Sequence, residues 1–101
     1  MPPALTPRHG HAMAYHEAKM RVVLFGGQDQ SYRERNDTWE FDGASWTQST
    51  PAVSPSARRW SAMVFDPTLG KCVLFGGSAA GTTFLGDTWT WDGAAWTAGG
   101  T

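Results

Sequence analysis

Val22-Val23-Leu24-Phe25-Gly26-Gly27 returns as Cys72-Val73-Leu74-Phe75-Gly76-Gly77, fifty residues further along the chain. Sliding the sequence against itself by that offset lays Arg8 on Arg58 and Ala12-Met13 on Ala62-Met63 without a gap. Downstream, Asp37-Thr38-Trp39 falls on Asp87-Thr88-Trp89, Asp42-Gly43-Ala44 on Asp92-Gly93-Ala94, and Trp46-Thr47 on Trp96-Thr97. A tandem repeat of this period points to propellers and related arrays rather than to one irregular core.

Each repeat reads as four strands. The first runs from Arg8 to Tyr15 and from Arg58 to Phe65. The second, Arg21 to Phe25 and Lys71 to Phe75, is a continuous apolar run, as expected of a strand covered on both faces. A third covers Asp37 to Phe41 and Asp87 to Trp91, and a fourth Ser45 to Gln48 and Ala95 to Ala98. Asp42-Gly43 and Asp92-Gly93, set between aromatics, are hairpin signals because glycine supplies the positive φ of a tight turn. Asp66-Pro67-Thr68-Leu69-Gly70 is a turn of similar chemistry, but its first-repeat copy places Met20 where Gly70 stands, so that turn must close differently or carry strain. Gln28 to Asn36 and Ser78 to Gly86 are the longest loops and diverge most: the first is polar and charged, the second small and apolar with Gly81 in it.

A strand ending in Gly-Gly, a variable loop, then Asp-Thr-Trp and a tryptophan seven residues on resembles the kelch repeat, and the resemblance covers nearly the whole chain in two copies. It implies an all-β fold of two four-stranded antiparallel propeller blades, residues 1–50 and 51–101. It also implies that Gly26, Gly27, Gly76, Gly77, Trp39, Trp46, Trp89 and Trp96 are structural, with Trp46 and Trp96 packing against the glycine pairs. Propellers have four to eight blades, so two leave sheet faces bare. Head-to-tail association with copies of itself relieves this, and kelch propellers being mostly six-bladed, a self-assembling homotrimer is expected ahead of a dimer or tetramer. Pro-rich linker sequence at Met1 to Pro7, matching Pro51 to Ala57, and the terminal Gly99-Gly100-Thr101 suit a designed or excised two-blade unit.

Composition narrows the function. A net charge of -1 offers no basic face, which argues against nucleic acid. No apolar run approaches the ~20 residues that span a bilayer, and no targeting signal is recognisable, so a soluble chain of unknown compartment is expected. With one cysteine, Cys72, no disulfide forms within the chain. Six tryptophans are a large load for 101 residues and require burial.

Candidate chemistry is sparse. His9 and His11 stand two apart, as strand neighbours on one face do, but their counterparts are Arg59 and Ser61, so a metal site is the weaker reading. Arg8 and Arg58 align, as do Asp37 and Asp87; residues repeated in every blade mark structural parts. Cys72 aligns with Val22 in an apolar strand and reads as a small hydrophobe rather than the cross-linked cysteine of kelch-like copper oxidases. No cofactor, metal or catalytic set is expected. What remains is a binding surface on the rim loop Asp29, Tyr32, Arg33, Glu34 and Arg35, whose charge and tyrosine suit a protein or peptide. The alternatives are a carbohydrate binder using exposed aromatics such as Trp60, and a metal-dependent enzyme using His9 and His11.

Overall fold

The computed structural model describes residues 4–80 and 83–99. The first linker residues, Gly81 of the second loop and the terminal Gly100-Thr101 lie outside them. Two antiparallel sheets follow one another along the chain. The first holds β1 (Arg8–His9), β2 (Ala12–His16), β3 (Arg21–Asp29), β4 (Glu34–Phe41) and β5 (Trp46–Ser49). The second holds β6 (Ala62–Asp66), β7 (Lys71–Ser78), β8 (Phe84–Trp91) and β9 (Trp96–Ala98). β1 and β2 both pair with β3, so they are one strand interrupted at Gly10-His11, and each sheet is a four-stranded meander of the kind expected of a kelch blade.

The middle strands are longer than the sequence suggests. Between Phe25 and Gly27 the register with β4 slips by a bulge, and the same slip recurs between Phe75 and Gly77. Pairing then resumes at Gly27↔Arg35 and Gln28↔Glu34, which draws most of the expected loop into the hairpin. The glycines are required by backbone, not by the tryptophans. Gly26 sits at φ 67°, and a Cβ there would lie 2.7 Å from the Arg58 carbonyl oxygen and 3.0 Å from that of Arg35. Trp46 packs against Phe41 of its own blade, ring centroids 5.1 Å apart, and Trp96 lies in the interface between the sheets.

Alternation along each strand sorts the side chains onto two faces. Ala12, Val23 and Phe25 of the first sheet meet Met63, Cys72, Leu74, Trp91 and Trp96 of the second, and these eight form one buried cluster. The Trp96 indole meets Phe25 edge-on, with ring centroids 5.2 Å apart, and packs at the same distance from Trp91. Each indole also finds an acceptor across the interface: Trp96 Nε1 donates to Thr38 Oγ1 at 2.9 Å, and Trp91 Nε1 donates to Glu40 Oε2 at 3.0 Å. Buried indole N–H groups need such partners, since each left unpaired costs about 1–3 kcal/mol. His16, fully buried at the end of β2, rests against the Phe65 ring at 5.0 Å.

The turn after β2 carries the strain that its sequence implies. Met20 adopts φ 56°, matching the φ 68° of Gly70 in the second repeat. A side chain in this region costs roughly 1–2 kcal/mol, against roughly 0.5–1 kcal/mol for the added freedom of glycine in the unfolded chain. Met20 is well exposed and has little packing to lose. Met20→Gly is therefore expected to raise stability by about 0.5 kcal/mol, and Gly70→Met to lower it, in urea denaturation of the two variants.

Candidate interaction surface

The repeated arginine and aspartate meet in each blade. Arg8 Nη1 and Nη2 donate to the two carboxylate oxygens of Asp37 at 2.7 and 3.0 Å, and Nη1 also donates to the Gly26 carbonyl at 3.1 Å. Trp39 Nε1 donates to Asp37 Oδ2 at 2.8 Å. In the second blade Arg58, Asp87, Gly76 and Trp89 reproduce the arrangement, with Arg58 to Asp87 at 2.6 and 2.9 Å. The remaining guanidinium protons go to Thr6 and Ser56, so neither arginine is left free to read a ligand. Each clamp ties the bulge carbonyl, the start of the blade and the third strand together.

The two clamps differ in cover. Asp37 is nearly buried, whereas the Asp87 side chain is 43% exposed. At Asp37, burial pushes the carboxyl up but is outweighed by the hydrogen bonds from Arg8 and Trp39, so the net direction is down. At Asp87 the Arg58 hydrogen bond dominates and holds the carboxyl down at about 2. The ordinary value is about 4, so this stabilisation is complete above pH 4 and fades as the pH falls towards 2. Asp87→Asn should flatten that acid limb of the stability curve. Asp37→Ala and Asp87→Ala each strand a buried guanidinium, Arg8 or Arg58, and should each cost about 3 kcal/mol in chemical denaturation.

The rim loop divides into scaffold and display. Asp29 Oδ1 accepts from the backbone N–H of Ser31 and Arg33, and Oδ2 accepts from Arg35, which closes the β3–β4 tip as an aspartate-capped turn. Glu34 accepts from Gln28 Nε2 at 3.2 Å and lies 3.5 Å from Arg59 Nε of the second blade. Arg35 bridges Asp29 and Asp37. That leaves Tyr32 and Arg33 at the tip, both exposed, with Tyr32 held at φ 61° and 82% exposed. Beside Tyr32 a cleft of about 470 Å³ runs past Pro7, His9 and Gln28.

The other candidates are dispersed. His9 is exposed at the end of β1, and the positive φ of Gly10 breaks the strand before His11, so the two do not share an uninterrupted strand face. Burial, Arg8 and His9 together lower the His11 pKa. Among the described residues no group of three or more His, Cys, Asp or Glu gathers as metal ligands would. Cys72 is buried in the interface, and burial with the Glu40 charge pushes its thiol up to about 11, far from thiolate chemistry. Trp60 is exposed, but the Arg59 guanidinium lies over its ring, 4.0 Å from the centroid, and occupies one stacking face.

The bare sheet face expected of the second blade carries a groove whose residues the sequence did not assemble. Phe75 and Val64 are more than half exposed on the sheet face turned away from the first blade. At its margin Trp60, Phe84 and Leu85 line a groove of about 270 Å³ along Gly76-Gly77. The available signal was the apolar character of the second loop where the first is charged, Phe84 standing in the place of Glu34.

Two four-stranded antiparallel meanders with identical bulges and repeated arginine–aspartate–tryptophan clamps define a pair of propeller blades. The model of the KLHDC2/KLHL20/DRC7 Kelch-repeats domain matches residues 2–99, and the chain belongs to this kelch-repeat family. It is similar to dynein regulatory complex subunit 7 of Chlamydomonas reinhardtii, with 36% identity over 62 residues, 58% of this chain. The matched part is 5% of that relative's length.

Proposed function

We propose that this chain is a non-catalytic protein-interaction module that presents the tip of the first blade's β3–β4 hairpin to a protein or peptide partner. The observation that carries this reading is the construction of the tip. Asp29, Glu34 and Arg35 are consumed in holding it, so Tyr32 and Arg33 are displayed from a rigid base and lose little freedom on binding. Tyrosine and arginine are both among the residue types enriched at the energetic centres of protein interfaces. The family membership supports the reading, as does the relative, which by its name is a subunit of a regulatory complex.

The same reading requires the bare sheet faces to be covered. Further kelch blades do this, and three copies closing head to tail into six blades is the arrangement the family resemblance favours.

Panning a random peptide display library on the immobilised chain tests the loop. Binders are expected to lose at least tenfold in affinity against a Tyr32→Ala/Arg33→Ala variant whose melting temperature is unchanged. Failure to enrich any sequence, or enrichment indifferent to the double substitution, would overturn the loop assignment.

A further inference from the structure

The repeat offset turns the interface inside the chain into a map of the one outside it. Every residue that the first blade turns towards the second has a counterpart on the second blade's outer face, fifty residues on. Every residue of the second blade in the interface has a counterpart on the first blade's outer face. The pairs seen within the chain therefore specify the pairs a neighbour would make.

Three observations indicate what that neighbour is. Phe25 against Trp96, with the Trp96 Nε1 bond to Thr38, translates into Phe75 against Trp46 and a Trp46 Nε1 bond to Thr88. All four residues are present, and Phe75 is 53% exposed where Phe25 is buried. The polar pair Trp91 and Glu40 translates into Phe41 and Thr90. The indole donor and the carboxylate acceptor have gone together, so neither an unpaired buried N–H nor a stranded charge results. The tilted ring pair His16 and Phe65 becomes Asp66 and Tyr15, a carboxylate opposite a phenol. Among the described residues Asp66 accepts hydrogen bonds on Oδ1 alone, from Thr68 and Leu69, which leaves its other oxygen for the phenol.

The groove follows the same rule. Within the chain, Gly27 N–H donates to the Arg58 carbonyl at 2.9 Å, Arg58 N–H to the Arg35 carbonyl at 3.1 Å, and Trp60 N–H to the Gly10 carbonyl at 2.6 Å. The counterparts of the first-blade groups in these bonds, the donor Gly27 and the acceptors Arg35 and Gly10, are Gly77, Leu85 and Trp60, which border the groove beside Phe84. The segment that fills it by this rule is Arg8-His9-Gly10, with uncharged Phe84 where Glu34 meets Arg59 and a histidine in place of that arginine.

We infer that the outer face of the second blade docks on the outer face of the first blade of a second copy of this chain, with Phe75, Thr88 and Thr90 seated on Trp46 and Phe41 and the Arg8-His9-Gly10 segment laid in the Trp60–Phe84 groove. Two joint exchanges, each altering both members of a pair, single out this chain as its own partner, since a different blade would need to match only one of the two faces. The inference rests on the kelch-blade reading and names the partner of the bare faces. It is independent of the rim loop.

The test is complementation of two single-face variants of the whole chain, read by native mass spectrometry and light scattering at about 100 µM. Phe75→Glu disables the outer face of the second blade, and Met13→Glu, 49% exposed, that of the first. Wild type is expected at three chains of 11.0 kDa. Each variant alone should be a folded monomer by circular dichroism, and the two mixed should form a one-to-one dimer through the face left intact on each. Val64→Glu serves in place of Phe75→Glu if the latter does not fold. A monomeric wild type, variants that keep the wild-type mass, or a mixture that stays monomeric would each overturn the docking. Peptide binding through Tyr32 and Arg33 would survive such a result, which separates failure of this inference from failure of the interaction-module reading.

Discussion

Two hydrogen bonds donated by tryptophan rings across a packed face hold the architecture in register. Trp96 and Trp91 belong to the last hairpin of the second blade, and their acceptors, Thr38 and Glu40, lie on the third strand of the first. Aromatic area drives the two sheets together, and the paired N–H groups fix how they slide. The burial of Cys72, which together with the Glu40 charge pushes its thiol up, and the tight seat of Phe25 both follow from that alignment.

Within each sheet the corresponding constraint is the arginine–aspartate–tryptophan clamp at the bulge. The bulge exposes a carbonyl that the interrupted ladder no longer uses, and the guanidinium of Arg8 or Arg58 takes it up while gripping the aspartate two-pronged. The clamp shows how a charged residue repeated in every blade is spent on structure. Sequence variation between the copies is concentrated at the hairpin tips, where they share little.

The repeat made much of this legible. Strand number, hairpin turns, the strained turn at Met20 and the structural role of Arg8 with Asp37 can all be read from two aligned copies, because each copy reports the constraint the other obeys. What the sequence concealed is where an element ends. Gly26-Gly27 reads as the end of a strand, yet the bulge returns the chain to pairing, so β3 runs on to Asp29 and the supposed long loop becomes a short tip. The glycines answer to carbonyl oxygens that come from distant segments, which no local pattern reveals. The loop residues could be nominated as a group, but their division into Asp29, Glu34 and Arg35 as scaffold and Tyr32 and Arg33 as display depends on hydrogen bonds seen only in three dimensions. Likewise Glu40 with Trp91 looks like an unremarkable departure from the repeat until the two are seen to touch.

The exchange of Glu40 and Trp91 for Thr90 and Phe41 makes the inter-blade bond itself the point on which the account turns. A double-mutant cycle of Glu40→Thr and Trp91→Phe, followed by urea denaturation, tests it directly. Each single substitution strands a buried polar partner, whereas the double variant installs the residue types that stand at the equivalent repeat positions, Thr90 and Phe41, and removes donor and acceptor together. A coupling of about 1 kcal/mol or more is expected, with the double variant more stable than the sum of the singles implies. Additivity within about 0.3–0.5 kcal/mol would mean that the indole and the carboxylate do not depend on each other, and would contradict the packing described.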